Sequence, residues 1–123
     1  PALEYYQKAL AIWLKQLDPV HPAVALCYND IGVAYFNKGE CDLALEFSKK
    51  SLALRLKLHG PDDLDVAKSY SNIGIMYKAK DDYDQARDYW QKAIAIFERE
   101  GYKDEAQELR EQIANLESGQ SNA

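Results

Sequence analysis

The side chains most able to do chemistry in this chain are two histidines and two cysteines. His21 stands in a His-Pro dipeptide and His59 precedes a Gly-Pro dipeptide, and either imidazole could act as a general base or a metal ligand. Cys27 and Cys41 together with His21 lack the ligand spacing of a zinc site. We interpret the histidines as helix-terminal residues and the cysteines as core residues that stay reduced. These residues therefore predict no catalytic site, no metal site and no cofactor.

Acidic side chains form two short clusters, at residues 62–65 and 81–82, that could suggest calcium binding. Neither cluster has the twelve-residue loop and the closing glutamate of an EF-hand. Aspartate also caps the first turn of a helix, and this is the interpretation we prefer. The chain has no nucleophile elbow, no glycine-rich phosphate loop and no paired zinc motif. We therefore predict that the protein is not an enzyme.

The amino-acid composition of the chain indicates which classes of molecule it can bind. The chain has 123 residues, a net charge of −5, 47% hydrophobic and 28% charged residues, which suits one globular domain. Nucleic acids and anionic membranes are recognised by basic patches, so the negative charge argues against both. No apolar run reaches the roughly 20 residues of a membrane span. We predict a cytoplasmic protein that binds neither nucleic acid nor membrane.

Six segments carry apolar residues at steps of three and four, the spacing of one face of a helix. Turn-forming residues separate the segments: Pro19, Pro22, Gly39, Pro61 and Gly101. The pattern therefore predicts six helices, over residues 2–17, 23–37, 43–58, 66–78, 83–97 and about 103–117.

The chain also repeats itself at a spacing of 42 residues. The recurring residues of two of the helices are Tyr28, Ile31, Gly32 and Tyr35, matched by Tyr70, Ile73, Gly74 and Tyr77. A glycine inside a helix costs about 1 kcal/mol relative to alanine, so its recurrence indicates a packing reason. We predict that Gly32 lets the next helix approach closely at Ala44. Gly74 should do the same at Ala86.

This pattern resembles the tetratricopeptide repeat (TPR) family, in which a glycine is followed by a tyrosine, an alanine, a large aromatic residue and a small residue at set distances. The matching residues of the second unit are Tyr70, Ile73, Gly74, Tyr77, Tyr83, Ala86, Trp90 and Ala93. The first unit departs from the pattern at Cys41, Ser48 and Ser51, so we expect it to pack less tightly. The 42-residue spacing is similar to that of the kinesin light chain and its relatives.

The resemblance implies an all-α fold, a right-handed α-solenoid of antiparallel helix pairs in a single array. Residues 2–17 match the second helix of a unit and form a half repeat. Full repeats cover about residues 23–58 and 65–100, a capping helix covers about 103–117, and residues 118–123 form a disordered tail. The start at Pro1 and the polar tail favour a fragment of a longer protein.

The resemblance also implies that a peptide or partner protein binds in a concave groove, in an adaptor or scaffold role. The groove would be lined by residues off the packed face of each first helix, namely Leu26, Asn29, Asp30, Val33, Asn37, Lys68, Ser71, Asn72, Ile75 and Lys78. The asparagines can pair with a peptide backbone, and the two lysines favour an acidic peptide. The carboxylate clamp of chaperone-binding members is not expected, because Asp30 stands where an asparagine would be.

Self-association is the alternative function. The half repeat at the N-terminus has no cap, so its helix is expected to expose an apolar patch. The residues of that patch are Leu3, Tyr6, Leu10 and Trp13. A further helix or a second copy of the chain would cover them, and the sequence leaves both possibilities open.

Overall fold

The structure, a computed structural model, describes residues 2–16 and 20–122, with side chains through residue 118. Within these ranges the only regular elements are helices, as the sequence predicted. In chain order they are α1 (Ala2–Gln16), α2 (Pro22–Asn37), α3 (Cys41–His59), α4 (Leu64–Ala79), α5 (Tyr83–Arg99) and α6 (Lys103–Asn122). No helix in the described part of the chain combines the length and apolar character needed to cross a bilayer.

The helix limits follow the sequence prediction closely, except at the two ends of the chain. Helices α2 to α5 begin and end within two residues of their predicted limits. The predicted end of α1 at Leu17 lies outside the described residues. Helix α6 continues to Asn122, beyond the limit at about residue 117 that the sequence predicted for it. No proline interrupts this stretch, and its one glycine costs a helix only about 1 kcal/mol.

Side-chain caps fix where several helices begin. His21 caps α2 through Nδ1, which accepts a hydrogen bond from the backbone N–H two residues on at 3.0 Å. Asp63 caps α4 in the same way, with Asp65 as the backbone donor at 2.8 Å. Asp82 accepts from the backbone N–H of Gln85 at 3.3 Å and caps α5. These bonds satisfy N–H groups that have no partner inside the helix, so one aspartate of each acidic cluster caps a helix as the sequence predicted.

The turns inside the two helix pairs each contain one residue with left-handed backbone, and the two residues are of different types. Gly39, between α2 and α3, has a φ of 82°. Asp81, 42 residues later between α4 and α5, has a φ of 64°. The Asp81 carboxylate accepts a hydrogen bond from the Tyr83 hydroxyl at 3.1 Å. Left-handed backbone is strained for residues with a Cβ atom, so the second turn is the more costly of the two.

The chain divides into two compact units, Pro1–Pro61 and Asp62–Ala123. In the first unit, α2 packs against both α1 and α3. A Cβ atom added at Gly32 would lie 2.5 Å from Oγ of Ser48 and 3.1 Å from the carbonyl oxygen of Ala44. The predicted close approach of α2 and α3 at Gly32 and Ala44 is therefore confirmed.

The first repeat buries the two serines at which it departs from the family pattern. Ser48 and Ser51 are buried, and the Ser51 hydroxyl donates a 2.8 Å hydrogen bond to the backbone carbonyl of Ala25 on α2. The short Ser48 side chain brings the α3 backbone itself against Gly32. A hydrogen bond and close backbone contact thus replace the volume of the larger residues expected there.

In the second unit, α5 packs against both α4 and α6. Trp90 is the largest buried side chain, with 1% of its surface exposed, and Ile73, Ala86 and Ala106 are fully buried. The atoms nearest to a Cβ added at Gly74 all belong to the indole of Trp90. A tryptophan ring therefore lies in the space left by the missing side chain, a contact that the sequence did not predict.

Candidate functional site

The second unit contains an open pocket of about 360 Å³. Its lining comes from three helices and consists of Ser71, Ile75 and Lys78 on α4, Trp90 and Phe97 on α5, and Glu105, Glu108, Leu109 and Gln112 on α6. The buried side chains among them, Trp90, Phe97 and Leu109, form an apolar floor. Ile75 is 44% exposed and adds apolar surface at the rim. The pocket can therefore take an apolar side chain of modest size.

The tryptophan in this floor is held in one position. Its Nε1 donates a 3.1 Å hydrogen bond to the backbone carbonyl of Ser71, and the ring lies against Gly74. A buried indole N–H needs such a partner, since an unpaired one is costly. The floor is thus preformed, which lowers the ordering entropy that a bound side chain would have to offset.

The rim of the pocket carries charges of both signs. Lys78 is exposed on α4, and Glu105 and Glu108 are exposed on α6. The glutamates lie one helical turn apart, so both can face one bound group. The rim has one positive and two negative groups, and it therefore favours a basic residue beside α6 and an acidic one beside α4.

The first unit contains a smaller pocket, of about 160 Å³, between α1 and α2. Its lining residues are Ala2, Tyr6, Asp30, Val33, Ala34 and Asn37. Burial raises the pKa of Asp30, while the charge of Arg55 and a hydrogen bond from Asn29 oppose that rise. This carboxyl group is therefore partly satisfied from within the protein.

Comparison with known proteins decides the family. The tetratricopeptide repeat model matches residues 2–57 and, in an overlapping placement, residues 29–99. The chain belongs to the tetratricopeptide repeat family. The resemblance drawn from the repeated glycines and tyrosines is thus confirmed, and TPR proteins are in general non-catalytic modules for protein–protein interaction. No curated protein matches this TPR chain in sequence.

Solved structures with a similar fold have low sequence identity to this chain. BtubC (BKLC) from P. vanneervenii aligns with a TM-score of 0.73 and 17% identity, over 98% of this chain and 57% of that one. The TPR-like repeats of a putative kinesin light chain from Podosopora anserina align with a TM-score of 0.70 and 19% identity. That alignment covers 95% of this chain and 66% of that one. The N-terminal domain of stress-induced protein-1 from C. elegans aligns with a TM-score of 0.68 and 20% identity, over 91% of this chain and 76% of that one. This chain thus spans little more than half of BtubC, and the comparisons confirm the all-α helical-repeat fold.

In the first TPR unit, the structure brings together three of the five predicted groove residues. Asp30, Val33 and Asn37 line the smaller pocket. Leu26 is 51% exposed and Asn29 is half-buried, and neither is among the residues that line it. The Asn29 side chain hydrogen-bonds to Asp30, so part of its hydrogen-bonding capacity is used inside the protein.

In the second TPR unit, three of the five predicted residues again meet in one place. Ser71, Ile75 and Lys78 line the pocket of about 360 Å³. Lys68 is exposed and Asn72 is half-buried, and neither belongs to its lining. Asn72 also takes part in an interaction within the protein. Ser71, Ile75 and Lys78, which share the pocket with residues of α5 and α6, are therefore the better supported part of the predicted surface.

Sequence reasoning missed the contribution of α6 to this pocket. The sequence predicted only a capping helix over these residues, whereas Glu105, Glu108 and Gln112 of that helix line the pocket with Lys78. Their steps of three and four place them on one face of α6, which was a signal available in the sequence. Only the packing of α6 on α5 shows that this face borders the pocket.

The residues predicted for self-association are less exposed than three other large apolar side chains of α1. The four predicted residues, all half-buried, are Leu3, Tyr6, Leu10 and Trp13. The apolar residues with the greatest exposure on this helix are Tyr5 at 69%, Ile12 at 53% and Leu14 at 42%. Periodicity identified an apolar stripe, but the packing of α1 on α2 covers much of that stripe and leaves another face open.

Proposed function

We propose that this TPR chain is a non-catalytic module that binds a peptide segment of a partner protein, in an adaptor or scaffold role, through the pocket of its second unit that Trp90, Phe97 and Leu109 line. The observation that carries the proposal is the buried apolar floor of Trp90, Phe97 and Leu109 beneath a charged rim. A preformed apolar pocket with a few placed polar groups is the usual form of a binding site.

The rim suggests the chemistry of the bound segment. An apolar side chain would enter the pocket beside Ile75. A basic residue next to it would meet Glu105 and Glu108, and an acidic residue on the other side would meet Lys78. The lysines of α4 predicted an acidic peptide as the partner. We extend that prediction to a segment that carries a basic residue as well.

The test uses the fluorescence of Trp90 in a Trp13→Phe background, which leaves one tryptophan in the chain. The probes are hexapeptides with a central leucine, flanked by lysine in one series and by glutamate in the other. We expect the lysine series to change the fluorescence at lower concentration. Glu108→Lys should weaken the lysine series by about fivefold to tenfold, the range of an interaction worth about 1 kcal/mol at a partly screened site.

The matched control is Glu46→Lys, which makes the same charge change at an exposed position of α3 in the first unit. It should leave the affinity of the lysine peptides unchanged. Equal effects of the two variants would indicate a general electrostatic attraction. Peptides that bind without any change in Trp90 fluorescence would place the site elsewhere.

A further inference from the structure

The negative charge of this chain is concentrated in its second unit. Residues 62–123 include 14 acidic and 8 basic side chains, whereas residues 1–61 include 6 acidic and 7 basic ones. The proposed peptide-binding pocket belongs to this acidic unit. Its surroundings therefore attract a cationic segment and raise the rate at which that segment associates.

Two of the three arginines in the second unit pair with acidic side chains outside the pocket. Arg99 pairs with Asp62, and Arg110 pairs with Glu98. None of these four residues lines the pocket. The two ion pairs thus neutralise charge elsewhere in the unit and none on the pocket rim.

The third arginine shows how this unit holds a guanidinium group. Arg87 of α5 contacts two carboxylates, with its Nη1 3.2 Å from Asp84 on the same helix and its Nε 3.6 Å from Glu117 on α6. The donors of a guanidinium group lie on different edges of one plane, so a single arginine can serve two acidic side chains. Lysine carries a compact point charge without this fork.

The pocket rim offers a pair of carboxylates without an arginine. Glu105 and Glu108 line the pocket, and both are exposed. Neither forms a hydrogen bond or an ion pair with any residue in the part of the chain that the structure describes. They are three positions apart on α6, a spacing that places Cβ atoms about 5–6 Å from each other. One guanidinium group can therefore reach both carboxylates.

The apolar floor extends to this part of the rim. The backbone N–H of Tyr102 donates a 2.7 Å hydrogen bond to the carbonyl of Phe97, and the two rings meet edge-on with centroids 6.3 Å apart. Glu105 follows Tyr102 by three residues, and Glu108 is followed directly by Leu109. The aliphatic stem of an arginine can thus pack over Phe97 and Leu109 while its head group meets the glutamates.

The cationic side chain of the rim lies towards the other end of the pocket. Lys78 is near the end of α4, beside the turn that leads into α5, and Glu105 is near the start of α6, beside the turn that follows α5. These two turns lie at opposite ends of α5, whose 17 residues span about 25 Å. Salt screens exposed charges over about 8 Å, so Lys78 repels a cation at the glutamates only weakly.

We infer that the basic residue of the bound segment is an arginine, placed next to the apolar residue that enters the pocket and held by Glu105 and Glu108 together. This inference rests on the proposed peptide-binding function and adds the identity of the residue that the rim selects. A lysine at the same position would gain the charge attraction but not the two-sided contact, so the paired glutamates discriminate between the two cations.

The test measures the preference for an arginine peptide over its lysine counterpart, from the fluorescence of Trp90 in the Trp13→Phe background. The probes are hexapeptides with a central leucine followed by arginine, by lysine or by citrulline, the neutral isostere of arginine. We expect the arginine peptide to bind about fivefold more tightly than the lysine peptide. The citrulline peptide should bind at least about tenfold more weakly than the arginine peptide.

Substitutions in the receptor show whether the two glutamates act together. Glu105→Gln and Glu108→Gln should each reduce the preference for arginine over lysine to less than about twofold, because one carboxylate leaves the guanidinium group without its second partner. The matched control is Glu111→Gln, which changes an exposed glutamate of α6 that does not line the pocket. It should leave the preference unchanged. All three side chains are exposed, so each variant should keep its fold, as circular dichroism can check.

The possible failures separate this inference from the proposed function. Equal affinity for the arginine and lysine peptides, with Trp90 responding to both, would overturn the inference and leave the pocket in place. A preference that survives either pocket substitution, or that Glu111→Gln also removes, would overturn it as well. If no peptide changed the Trp90 fluorescence, the proposed function would fail and the inference with it.

Discussion

Gly74 on α4 lies directly beneath the indole ring of Trp90 on α5. A Cβ atom added at Gly74 would lie 2.9 Å from Cε2 of the ring, and it would lie closer still to Nε1 and Cδ1. The same indole donates its N–H to the carbonyl of Ser71, one turn earlier on α4. The glycine and the hydrogen bond together fix the floor of the pocket and the distance between the two helices.

Replacing this glycine should therefore destabilise the protein. Gly74→Ala gains about 1 kcal/mol of helix propensity. It also forces the buried Trp90 ring out of place, and such overpacking costs about 1–3 kcal/mol. We expect a lower midpoint in urea and a change in tryptophan fluorescence, measured in the Trp13→Phe background. A variant at least as stable as its parent would show that the indole moves aside without cost.

The turns at Gly39 and Asp81 offer a reciprocal exchange of residues. Asp81→Gly relieves left-handed strain of about 1 kcal/mol and loses one exposed hydrogen bond from Tyr83, so a small gain in stability is expected. Gly39→Asp should lose about 1 kcal/mol for the same reason. Thermal unfolding of both variants tests this pair of predictions. If both substitutions changed the stability in the same direction, the explanation from the φ angles of the two turns would be contradicted.

The free energy of unfolding should depend on pH because of Asp30, which lines the pocket between α1 and α2. Burial raises the pKa of Asp30 above its ordinary value, although Arg55 and Asn29 oppose the rise. Between the ordinary and the raised pKa the folded state holds more of this proton than the unfolded state. The contribution of Asp30 to stability is therefore present at low pH and is lost as the pH rises through that window.

Asp30→Asn removes this titration and tests its sign. Relative to the parent, the variant should become more stable as the pH rises through the window, and the difference should then stay constant. Urea denaturation at several pH values from acidic to neutral measures it. A difference that does not vary with pH, or that varies in the opposite direction, would show that Asp30 has a lowered or ordinary pKa.

The two cysteines should differ in reactivity. Cys27 is 3% exposed, and burial together with the negative charge of Asp30 raises the pKa of its thiol. Cys41 is half-buried at the start of α3. Because the thiolate is the reactive form, a thiol reagent at pH 8 should label Cys41 first and Cys27 much more slowly. Cys41→Ser should remove the fast phase, and its persistence in that variant would identify Cys27 as the accessible thiol.

The sequence by itself determined the helices, the repeat and the family. Apolar residues at steps of three and four define a helix through local geometry alone, and breakers such as Gly39 and Pro61 define where it ends. The glycines at positions 32 and 74 were identified as close contacts because their cost recurs at one spacing. These features depend on neighbours along the chain, which the sequence shows directly.

Only the tertiary structure decided what each helix face meets. It placed Trp90 against Gly74, and it brought Glu105 and Glu108 of α6 to the rim of the pocket. It also showed that Tyr5 of α1 is 69% exposed. A helix presents several faces whose composition is similar, and the one that is buried depends on the rotation that packing imposes. That rotation depends on residues far apart in sequence, so periodicity could predict the stripe but not its partner.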